Sequence, residues 1–573
     1  MYNLKNLHKD YPLYETRHFN DIREMVENAA KWYEDRVALS YRITPKDEEA
    51  VRVTYNEARD RIRDLGTGMI EAGCRDAHVA LIGEASYDWV CSYYGLMAVG
   101  AVSVPIDKEL PPDDILGIME KAECTHIFYS PVAEEKIAAI RDRLTYTKTF
   151  VCFGEPTIPG ATKLSDMVAR GAELYAGGDN SYYETEIDPN RMATIVFTSG
   201  TTGKGKGVML SQHNICSNMQ EGMYNFHVEG KTMFVLPPHH TFGSTVNFVG
   251  HYALGVEVYI SSGTRYLLNE LKAEKPNHLV LVPLFVETLY KRIWQTAEKS
   301  GKAEILKKAI KLSNGMRKVG VDLRKKLFKD VLSAFGGNLE MIICGGAALN
   351  QELIDVFEAM GIVILNGYGI TECSPLISCN RNQYRKNGSV GIPQHGSEVK
   401  IANPDENGEG EICYKGSNVM LGYYKEPEAT AAVIDEDGFF HTGDWGKLDD
   451  EGWIYITGRL KNIIILANGK NVYPEEIEYE IRNVPGVSEV VVYAGESKNE
   501  SREIIVAEIF PDEEEIEKRG ITDVKAYFSA EVKKINDRMP PYKTVGHIKI
   551  RKEEFVKNTS RKITRFNIDK SID

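Results

Sequence analysis

The sequence predicts an α/β protein: a large N-terminal domain of βαβ subdomains plus a β-rich subdomain, followed by a small α/β C-terminal domain. Three observations support this: strands and helices alternate up to about residue 130, short strands and turns dominate from about residue 385, and a compact α/β block follows Arg459. A chain of 573 residues is too long for one core. We place the boundary between Arg459 and Lys461, giving domains 1–458 and 459–573.

The N-terminal part alternates apolar strands with amphipathic helices, which indicates a parallel sheet covered by helices. The predicted helices are 21–33, 55–72, 87–99, 111–122 and 245–254, and the predicted strands are 78–82, 101–105, 125–130, 193–197, 208–210, 233–236, 257–261, 278–282, 339–344 and 363–365. The β-rich subdomain has predicted strands at 412–414, 439–442 and 453–457. The C-terminal block has predicted helices at 474–482 and 524–538 and predicted strands at 489–493, 503–509 and 547–551.

Composition limits the class of protein. The net charge of −14 argues against a general nucleic-acid binder, which would present a basic surface. The nine cysteines are far apart and have no metal-ligand spacing, as expected in a reduced intracellular protein. The first residues lack the apolar segment of a signal peptide, and no apolar stretch is long enough to span a bilayer. We therefore expect a cytoplasmic protein.

A loop rich in glycine, hydroxyl and lysine side chains follows the predicted strand 193–197. It reads Thr198, Ser199, Gly200, Thr201, Thr202, Gly203, Lys204, Gly205, Lys206 and Gly207. Glycines let backbone N–H groups turn toward one anion, while hydroxyls and lysines add donors and charge, so the loop predicts a phosphate cradle. A flexible surface turn is the alternative.

A Walker A loop is a second alternative, because residues 200–206 satisfy its spacing. Gly207 stands where that motif has the Ser or Thr that holds Mg²⁺, and a strand rather than a helix is predicted next. We therefore predict a phosphate loop of another kind.

Five motifs follow one another along the chain. They are the loop 198–207, Tyr368-Gly369-Ile370-Thr371-Glu372, His441-Thr442-Gly443-Asp444, Gly458-Arg459-Leu460-Lys461 and Ser560-Arg561-Lys562-Ile563-Thr564-Arg565. In this order they resemble the core motifs of the adenylate-forming superfamily, which includes acyl-CoA synthetases, peptide-synthetase adenylation domains and luciferases. The segments 236–242, 368–375 and 467–476 are most similar to those of long-chain fatty-acid–CoA ligases.

The resemblance implies an ATP- and Mg²⁺-dependent ligase that converts a medium- or long-chain fatty acid to acyl-AMP and pyrophosphate, then transfers the acyl group to CoA. It also implies that the C-terminal domain is mobile. An acyl carrier protein is the alternative acceptor. From another class, a non-ligase nucleotide-binding protein is an alternative, although such a protein would not need both Glu372 and Lys562.

The resemblance also implies which residues bind the nucleotide. The β- and γ-phosphates would be held by Thr198, Ser199, Gly200, Thr201, Thr202, Gly203 and Lys206. Thr371 would contact the α-phosphate, and Glu372 would hold Mg²⁺. Tyr368, between Gly367 and Gly369, would stack on adenine opposite Gly345, Gly346 and Ala347, while Asp444 and Arg459 would bind the ribose. As structural alternatives, Thr371 and Glu372 would cap a helix, and residues 345–347 would form a tight turn.

Four further residues have roles that the resemblance implies. Lys562 would contact the carboxylate and the α-phosphate, Lys461 would be the hinge, Gly469 would lie in a loop facing the thiol, and His240 would lie near the acyl carboxylate. A solvated basic tail is the alternative for Lys562, and a structural loop histidine for His240. Arg561 and Gly205 depart from the family pattern, which has Gly and Pro there.

Two segments concern the fatty acid itself. Residues 241–254 and 279–285 are apolar enough to form the acyl pocket, although ordinary core packing explains them equally well. Residues 302–332 contain ten Lys or Arg and three acids. Such a segment could contact an anionic membrane surface, but more often it is a solvated helix face.

Overall fold

The computed structural model describes residues 14–198, 205–347, 349–382, 384–466, 471–495, 504–557, 563–565 and 568–572. The chain forms two compact units. The first comprises the described residues up to Glu398, with Tyr414–Phe440 and Asp450–Ile454; the second comprises Val399–Cys413, His441–Asp449 and the described residues from Tyr455. The domain boundary between Arg459 and Lys461 stays a prediction.

The strands follow one another along the whole chain. They are β1 Val37–Tyr41, β2 Val51–Thr54, β3 His78–Ile82, β4 Val102–Ile106, β5 His126–Tyr129, β6 Thr149–Cys152, β7 Thr162–Lys163, β8 Met192–Thr198, β9 Lys206–Ser211, β10 Lys231–Phe234, β11 Glu257–Ile260, β12 His278–Leu281, β13 Met341–Cys344, β14 Val363–Gly369, β15 Leu376–Cys379, β16 Ile392–Pro393, β17 Glu398–Ala402, β18 Gly410–Lys415, β19 Gly422–Tyr423, β20 Phe440–Leu448, β21 Ile454–Arg459, β22 Ile464–Ile465, β23 Asn471–Val472, β24 Val487–Gly495, β25 Ile504–Pro511 and β26 His547–Ile550.

The α-helices lie mostly between these strands. They are α1 Ile22–Tyr33, α2 Tyr55–Glu71, α3 Tyr87–Ala98, α4 Pro112–Lys121, α5 Glu134–Ile140, α6 Leu164–Ala176, α7 Ser181–Glu184, α8 Gln212–Met223, α9 His251–Ala253, α10 Leu267–Glu274, α11 Pro283–Lys299, α12 Ala303–Lys318, α13 Arg324–Leu327, α14 Lys329–Ala334, α15 Gln351–Met360, α16 Pro427–Ala431, α17 Pro474–Arg482, α18 Glu513–Lys518 and α19 Val524–Asn536.

Two large sheets organise the first unit. One has eight strands in the order β19-β9-β8-β4-β3-β5-β6-β7, and the other has nine in the order β16-β15-β14-β13-β12-β10-β11-β1-β2. Strands β3–β8 pair with one another in parallel, as do β10–β14, whereas β9 is antiparallel to β8 and β15 is antiparallel to β14. The predicted βαβ architecture is therefore confirmed. It brings the carboxyl ends of adjacent strands to one edge, where ligands of such sheets bind.

Local sequence explains where the first helices begin. The side chain of Asp21 accepts from the backbone N–H of Glu24 at the start of α1. Thr54 and Glu57 form a reciprocal capping box at the start of α2. Helix α3 is buried along almost its whole length, as expected for a helix covered on both sides.

Several predicted elements differ from the structure in type or length; the strand predicted at 439–442, for example, continues to Leu448. The helix predicted at 245–254 is a π-helix from Phe242 to Gly250 that continues into α9. The strand predicted at 363–365 continues to Gly369, because its last residues pair with β15, with Gly367 opposite Cys379 and Tyr368 opposite Ser378. The period of apolar residues cannot distinguish a π-helix from an α-helix, and Asn-Gly-Tyr-Gly carries a turn composition that the pairing overrides.

The second unit contains smaller sheets. A four-stranded sheet, formed mostly by this unit, has the order β17-β18-β20-β21, and a three-stranded sheet has the order β24-β25-β26. Helices α17 and α19 pack on the three-stranded sheet around a core that includes Ile477, Val492 and Phe528.

Among the described residues of the chain, no helix is long and apolar enough to cross a membrane.

Candidate functional site

The predicted phosphate loop joins two paired strands. Strands β8 and β9 are antiparallel, and Thr198 lies opposite Lys206. The hydroxyl of Thr198 donates to the carbonyl of Lys206 at 3.5 Å. The predicted ligands Ser199, Gly200, Thr201, Thr202 and Gly203 lie outside the described residues.

Strand β9 confirms that this loop is not a Walker A motif, which would open directly into a helix. Packing gives a second reason. A Cβ on Gly207 would lie 2.8 Å from Cγ2 of Ile195 and 3.2 Å from the Phe197 ring. The Ser or Thr of a Walker loop therefore does not fit at this position without rearrangement.

Lys206 and Glu372 both contact one tyrosine, Tyr423. The Nζ atom of Lys206 is 4.4 Å from the centre of the Tyr423 ring, and the Tyr423 hydroxyl donates to Oε1 of Glu372 at 2.9 Å. Strand β19 holds this tyrosine in place, because Tyr423 pairs with Val208 of β9. The ring thus connects the base of the phosphate loop with the predicted metal ligand.

The surroundings of Tyr423 favour its neutral form. Burial raises the pKa of its phenol, and the neighbouring Glu372 carboxylate raises it further. The group therefore remains a hydrogen-bond donor at neutral pH. Sequence reasoning missed Tyr423; the only signal was its place in the Gly-Tyr-Tyr that follows Met420 and Leu421.

Thr371 and Glu372 lie directly after β14, on a single 3-10 turn that ends at Cys373. Ile370, rather than either of them, occupies the N-cap position, and no side chain caps this turn. The backbone N–H of Met420 donates to the carbonyl of Glu372 at 2.8 Å. The alternative that this pair caps a helix is therefore wrong, and the two side chains remain candidates for binding.

The glycines predicted to flank adenine follow adjacent strands. Cys344 of β13 lies opposite Asn366 of β14, so Gly345 and Gly367 come next to each other. A Cβ on Gly345 would lie 3.2 Å from the Phe242 ring and 3.4 Å from the carbonyl oxygen of Gly367. The structure therefore brings these two glycines together at the carboxyl edge of the sheet.

The other residues predicted to surround adenine differ in exposure and in the space around them. Gly346 has φ +90°, a left-handed conformation that favours glycine, and it is exposed together with Ala347. A Cβ on Gly369 would lie 2.0 Å from the Pro375 carbonyl, so only glycine fits there. Tyr368 is buried within β14. Its stacking on adenine stays a prediction.

Two histidines follow β10. The rings of His239 and His240 are 4.2 Å apart, and the carbonyl of His240 accepts from the backbone N–H groups of Gly243 and Ser244 as the π-helix begins. Burial lowers the pKa of His239 to about 4, with a smaller contribution from Lys108. The ring is therefore neutral at pH 7, and its Nε2 lies 3.6 Å from Oδ2 of Asp107, too far for a hydrogen bond.

In the second unit, Asp444 and Arg459 are adjacent. Nε of Arg459 lies 2.7 Å from Oδ1 of Asp444, whose side chain is buried while that of Arg459 is exposed. The backbone N–H of Asp444 donates to the Thr442 hydroxyl at 3.0 Å, and that hydroxyl donates to the Ile412 carbonyl. These bonds fix the turn that presents Asp444.

Glu411, which sequence reasoning missed, supports the same turn. One of its carboxylate oxygens accepts from the backbone N–H of Gly443 at 3.0 Å, and the other is 2.8 Å from Nδ1 of His441. With Cys413 these side chains form the only group of three potential metal ligands found among the described residues, with ligand atoms within 4.8 Å of one another. We interpret Glu411 as a positioning residue for Asp444.

The segment around Lys562 is anchored to the second unit. Arg565 contacts both carboxylate oxygens of Glu478, at 2.6 and 2.7 Å, and donates to the Val492 carbonyl at 3.0 Å. Ile563 pairs with Lys557, which itself contacts Glu489 and Glu554. Lys557 and Arg565 are thus held in ion pairs, and the alternative of a solvated basic tail for Lys562 stays open. Lys562 and Gly469 lie outside the described residues, and Lys461 is exposed on a 3-10 turn.

Similarity to known proteins fits this geometry. The family model described as AMP-binding enzyme matches residues 26–424. The chain is 30% identical to the long-chain-fatty-acid–CoA ligase FadD15 of Mycobacterium bovis, covering 78% of this chain and 76% of the relative. It is 29% identical to the long-chain-fatty-acid–[acyl-carrier-protein] ligase AEE15, chloroplastic, of Arabidopsis thaliana, covering 87% and 77%.

The fold also matches solved structures. A structure of the anthranilate CoA ligase AuaEII with anthranoyl-AMP has a TM-score of 0.75 at 20% identity and covers 97% of both chains. A Mycobacterium tuberculosis fatty acyl CoA synthetase has a TM-score of 0.62 at 24% identity, covering 95% of this chain and 96% of its own. Because the family model matches more than half of the chain, this chain is a member of the AMP-binding enzyme family.

Proposed function

We propose that this protein activates a medium- or long-chain fatty acid with ATP and transfers the acyl group to CoA. A carboxylate oxygen attacks the α-phosphorus, the bond between the α-phosphorus and the bridging oxygen breaks, and pyrophosphate leaves with the electron pair. The thiol sulfur of CoA then attacks the carbonyl carbon of acyl-AMP, and AMP leaves. The connection of Lys206 to Glu372 through Tyr423 is the observation that supports this proposal most directly.

The first half-reaction joins two anions, so positive charge and N–H donors must offset their repulsion. We propose that Thr198, Lys206 and residues 199–203 hold the departing phosphates, and that Thr371 contacts the α-phosphate. Lys562 would hold the attacking carboxylate against that phosphate. Arg565, which is held in an ion pair with Glu478, would limit the conformations of the segment that carries Lys562.

Glu372 fits the donor chemistry of Mg²⁺, which binds proteins through one or two carboxylates and substrate phosphates. When bound, Mg²⁺ would neutralise charge on the phosphates. The phenol of Tyr423 would orient the carboxylate of Glu372, and Lys206 would keep the tyrosine ring in position.

The remaining roles are proposals of the same kind. Asp444 and Arg459 would bind the ribose hydroxyls, and Tyr368 with the glycines at 345, 346, 367 and 369 and Ala347 would enclose adenine. His240 would lie near the acyl carboxylate, Gly469 would face the thiol, and the backbone at Lys461 would change conformation between the two half-reactions. The π-helix Phe242–Gly250 would line the acyl chain, since Val246, Phe248 and Val249 are buried and apolar.

An acyl carrier protein is the second candidate acceptor. The observation that favours it is the similarity to a ligase named for that acceptor, which extends over 87% of this chain. We also propose a cytoplasmic location, since all nine cysteines are buried and none is joined to another. Segment 302–332, with ten basic and three acidic residues, would make a transient contact with a membrane surface.

A panel of carboxylic acids of different chain length tests the activity, read by pyrophosphate release with CoA, with a carrier protein and without acceptor. We expect release only with fatty acids and thioester formation with CoA. Release that does not depend on the carboxylic acid would contradict the proposed substrate, and acyl-AMP that accumulates with CoA but not with the carrier protein would favour the second acceptor.

Lys562 has a matched control in the same segment. Lys562→Ala should abolish fatty-acid-dependent pyrophosphate release, yet it should still convert supplied acyl-AMP to thioester, because that half-reaction does not need the lysine. Lys557→Ala, which changes the neighbouring cation that contacts Glu489 and Glu554, should retain the first half-reaction. Full adenylation by Lys562→Ala would remove Lys562 from the catalytic assignment.

A further inference from the structure

Three side chains of the second unit that can bind a metal lie close together on one sheet. They are Glu411, Cys413 and His441, and their ligand atoms all lie within 4.8 Å of one another. The candidate nucleotide site uses Glu411, which positions Asp444, but it uses neither Cys413 nor His441. We call these three residues the β18–β20 cluster.

Strand pairing explains why the three residues meet. Glu411 and Cys413 are separated by one residue on β18, so their side chains project from the same face of the strand. Strand β20 is the neighbour of β18 in the four-stranded sheet, and it brings His441 beside Cys413 from 28 positions further along the chain. Sequence spacing does not reveal this cluster, because one of its members lies on another strand.

The distances between the ligand atoms suit a tetrahedral metal. Sγ of Cys413 is 3.5 Å from Nδ1 of His441. Bonds of about 2.3 Å from Zn²⁺ to sulfur and about 2.0 Å to nitrogen, at a tetrahedral angle, place these two atoms about 3.5 Å apart. Oε2 of Glu411 is 2.8 Å from the same Nδ1, closer than the roughly 3.3 Å that two such bonds require. A bound metal would therefore move the Glu411 carboxylate by about 0.5 Å away from the imidazole.

The donor set favours zinc-like cations over Mg²⁺. A thiolate, an imidazole nitrogen and a carboxylate oxygen are the ligand types that Zn²⁺ uses, and water can supply the fourth position. Mg²⁺ prefers oxygen ligands in an octahedral arrangement, which this cluster does not offer. Cys413 is buried, whereas the side chains of Glu411 and His441 are 17% and 32% exposed. Solvent can therefore deliver a metal and its fourth ligand from the exposed side.

Glu411 connects the cluster to the candidate nucleotide site. Its Oε1 accepts from the backbone N–H of Gly443 at 3.0 Å, directly before Asp444. Movement of this carboxylate toward a metal would weaken that bond and change the turn that presents Asp444. Binding of the metal and binding of the ribose would then oppose each other, and each would weaken the other by the same factor.

We infer that the β18–β20 cluster binds Zn²⁺ or a cation with the same ligand preference, and that the bound ion lowers the affinity for the nucleotide. The metal site depends only on the geometry of the cluster. Its effect on the nucleotide rests on the proposed function, because it acts through Asp444. The Mg²⁺ that the ligase reaction would need does not compete for this site.

Co²⁺ is a spectroscopic probe of the cluster, because it occupies Zn²⁺ sites and absorbs by charge transfer when a thiolate binds it. Addition of Co²⁺ to the reduced full chain should produce this absorption, and excess Zn²⁺, but not excess Mg²⁺, should remove it. Cys413→Ala and His441→Gln should each weaken Co²⁺ binding by more than about 100-fold, the upper end for loss of an outer-shell partner of a metal. The controls Cys74→Ala, at another buried cysteine, and His213→Gln, at an exposed histidine, should bind like wild type.

The wild-type protein gives a second readout that does not depend on the folding of a variant. X-ray absorption at the zinc edge should show one sulfur neighbour and one imidazole. A metal shell without sulfur, displacement of Co²⁺ by Mg²⁺, or charge-transfer absorption that persists in Cys413→Ala would each overturn the metal site.

Adenosine tests the effect on the nucleotide site, because it carries the ribose but no phosphate that would itself bind the metal. Its dissociation constant should rise about tenfold when Zn²⁺ is added to wild type, within the usual range of coupling between two sites, and should not change in Cys413→Ala. An unchanged constant in wild type would overturn the coupling and leave the metal site. Fatty-acid-dependent pyrophosphate exchange by the metal-free wild type with ATP and Mg²⁺ reports on the ligase separately, so its failure would contradict the proposed function and not the metal site.

Discussion

The hydrogen bond from Tyr423 to Glu372 allows a sharp test of the nucleotide site. Tyr423→Phe removes only the hydroxyl that lies 2.9 Å from Oε1 of Glu372. The ring that faces Lys206 at 4.4 Å remains, as does the strand pairing with Val208. The substitution therefore isolates the orientation of the Glu372 carboxylate.

The expected effect follows from the strength of that bond. A hydrogen bond to a charged group contributes about 1.5–3 kcal/mol, and each 1.4 kcal/mol corresponds to a factor of ten. Loss of a partner that orients a metal-binding carboxylate typically reduces metal affinity or activity about 10- to 100-fold. We expect Tyr423→Phe to lower kcat/KM for ATP by roughly this factor and to raise the Mg²⁺ concentration needed for half-maximal activity.

Tyr424→Phe is the matched control. Its hydroxyl is directed to Oε2 of Glu123 at 3.4 Å, not to Glu372. Pyrophosphate release should be measured against Mg²⁺ and ATP for both variants, for Glu372→Gln and for Tyr423→Phe combined with Glu372→Gln. If the tyrosine acts through the carboxylate, the double variant should be no worse than Glu372→Gln alone. Wild-type Mg²⁺ dependence in Tyr423→Phe, or fully additive losses in the double variant, would refute this reasoning.

Three further predictions concern other parts of the molecule. Asp444→Asn should raise KM for ATP about 10-fold or more, because a charged hydrogen bond to the ribose is lost. The control Asp437→Asn, on an exposed turn, should leave KM for ATP unchanged. Equal KM values for the two variants would exclude the ribose role of Asp444. Burial raises the pKa of Glu221 to about 6, so the folded protein loses stability as pH rises from 4.5 through 6. Glu221→Gln should therefore gain about 2 kcal/mol in urea unfolding at pH 7.5 and nothing at pH 4.5, and equal gains at both pH values would contradict this cause. Burial lowers the pKa of three histidines, to about 4 for His239 and His251 and well below the usual value for His278, where the neighbouring His251 also contributes. Because the unfolded chain then binds more protons below pH 6.5, stability should fall by up to about 3 kcal/mol for each of His239 and His251 as pH drops toward 4. A melting temperature that stays constant over this range would show that these histidines do not titrate on unfolding.

The architecture was predictable because periodicity and turn composition act locally. Apolar runs such as those that form β3 and β13 predict strands without knowledge of their partners, and the structure contains both. The extension of β14 through Gly367 and Tyr368 was not predictable, since it depends on pairing with β15, which follows later in the chain. The π-helix also escaped prediction, because its spacing of apolar residues resembles that of an α-helix.

The candidate site likewise contains residues that could be predicted from the sequence and residues that could not. Motif order identified Thr371, Glu372, Asp444 and Arg459, and the structure brings Asp444 and Arg459 within 2.7 Å. The residues that orient them carry no motif of their own. Tyr423 reaches Glu372 from 51 positions further along the chain, and Glu411 reaches Gly443 from 32 positions earlier. Such partners become visible only when the strands that carry them are paired.

The nucleotide products test the central claim most directly. Incubation with ATP, Mg²⁺ and a fatty acid, without any acceptor, should yield acyl-AMP and pyrophosphate, and labelled pyrophosphate should exchange into ATP only when the fatty acid is present. Formation of ADP and phosphate, or exchange that does not require the fatty acid, would contradict the account, because cleavage would then not occur at an α-phosphate attacked by a carboxylate.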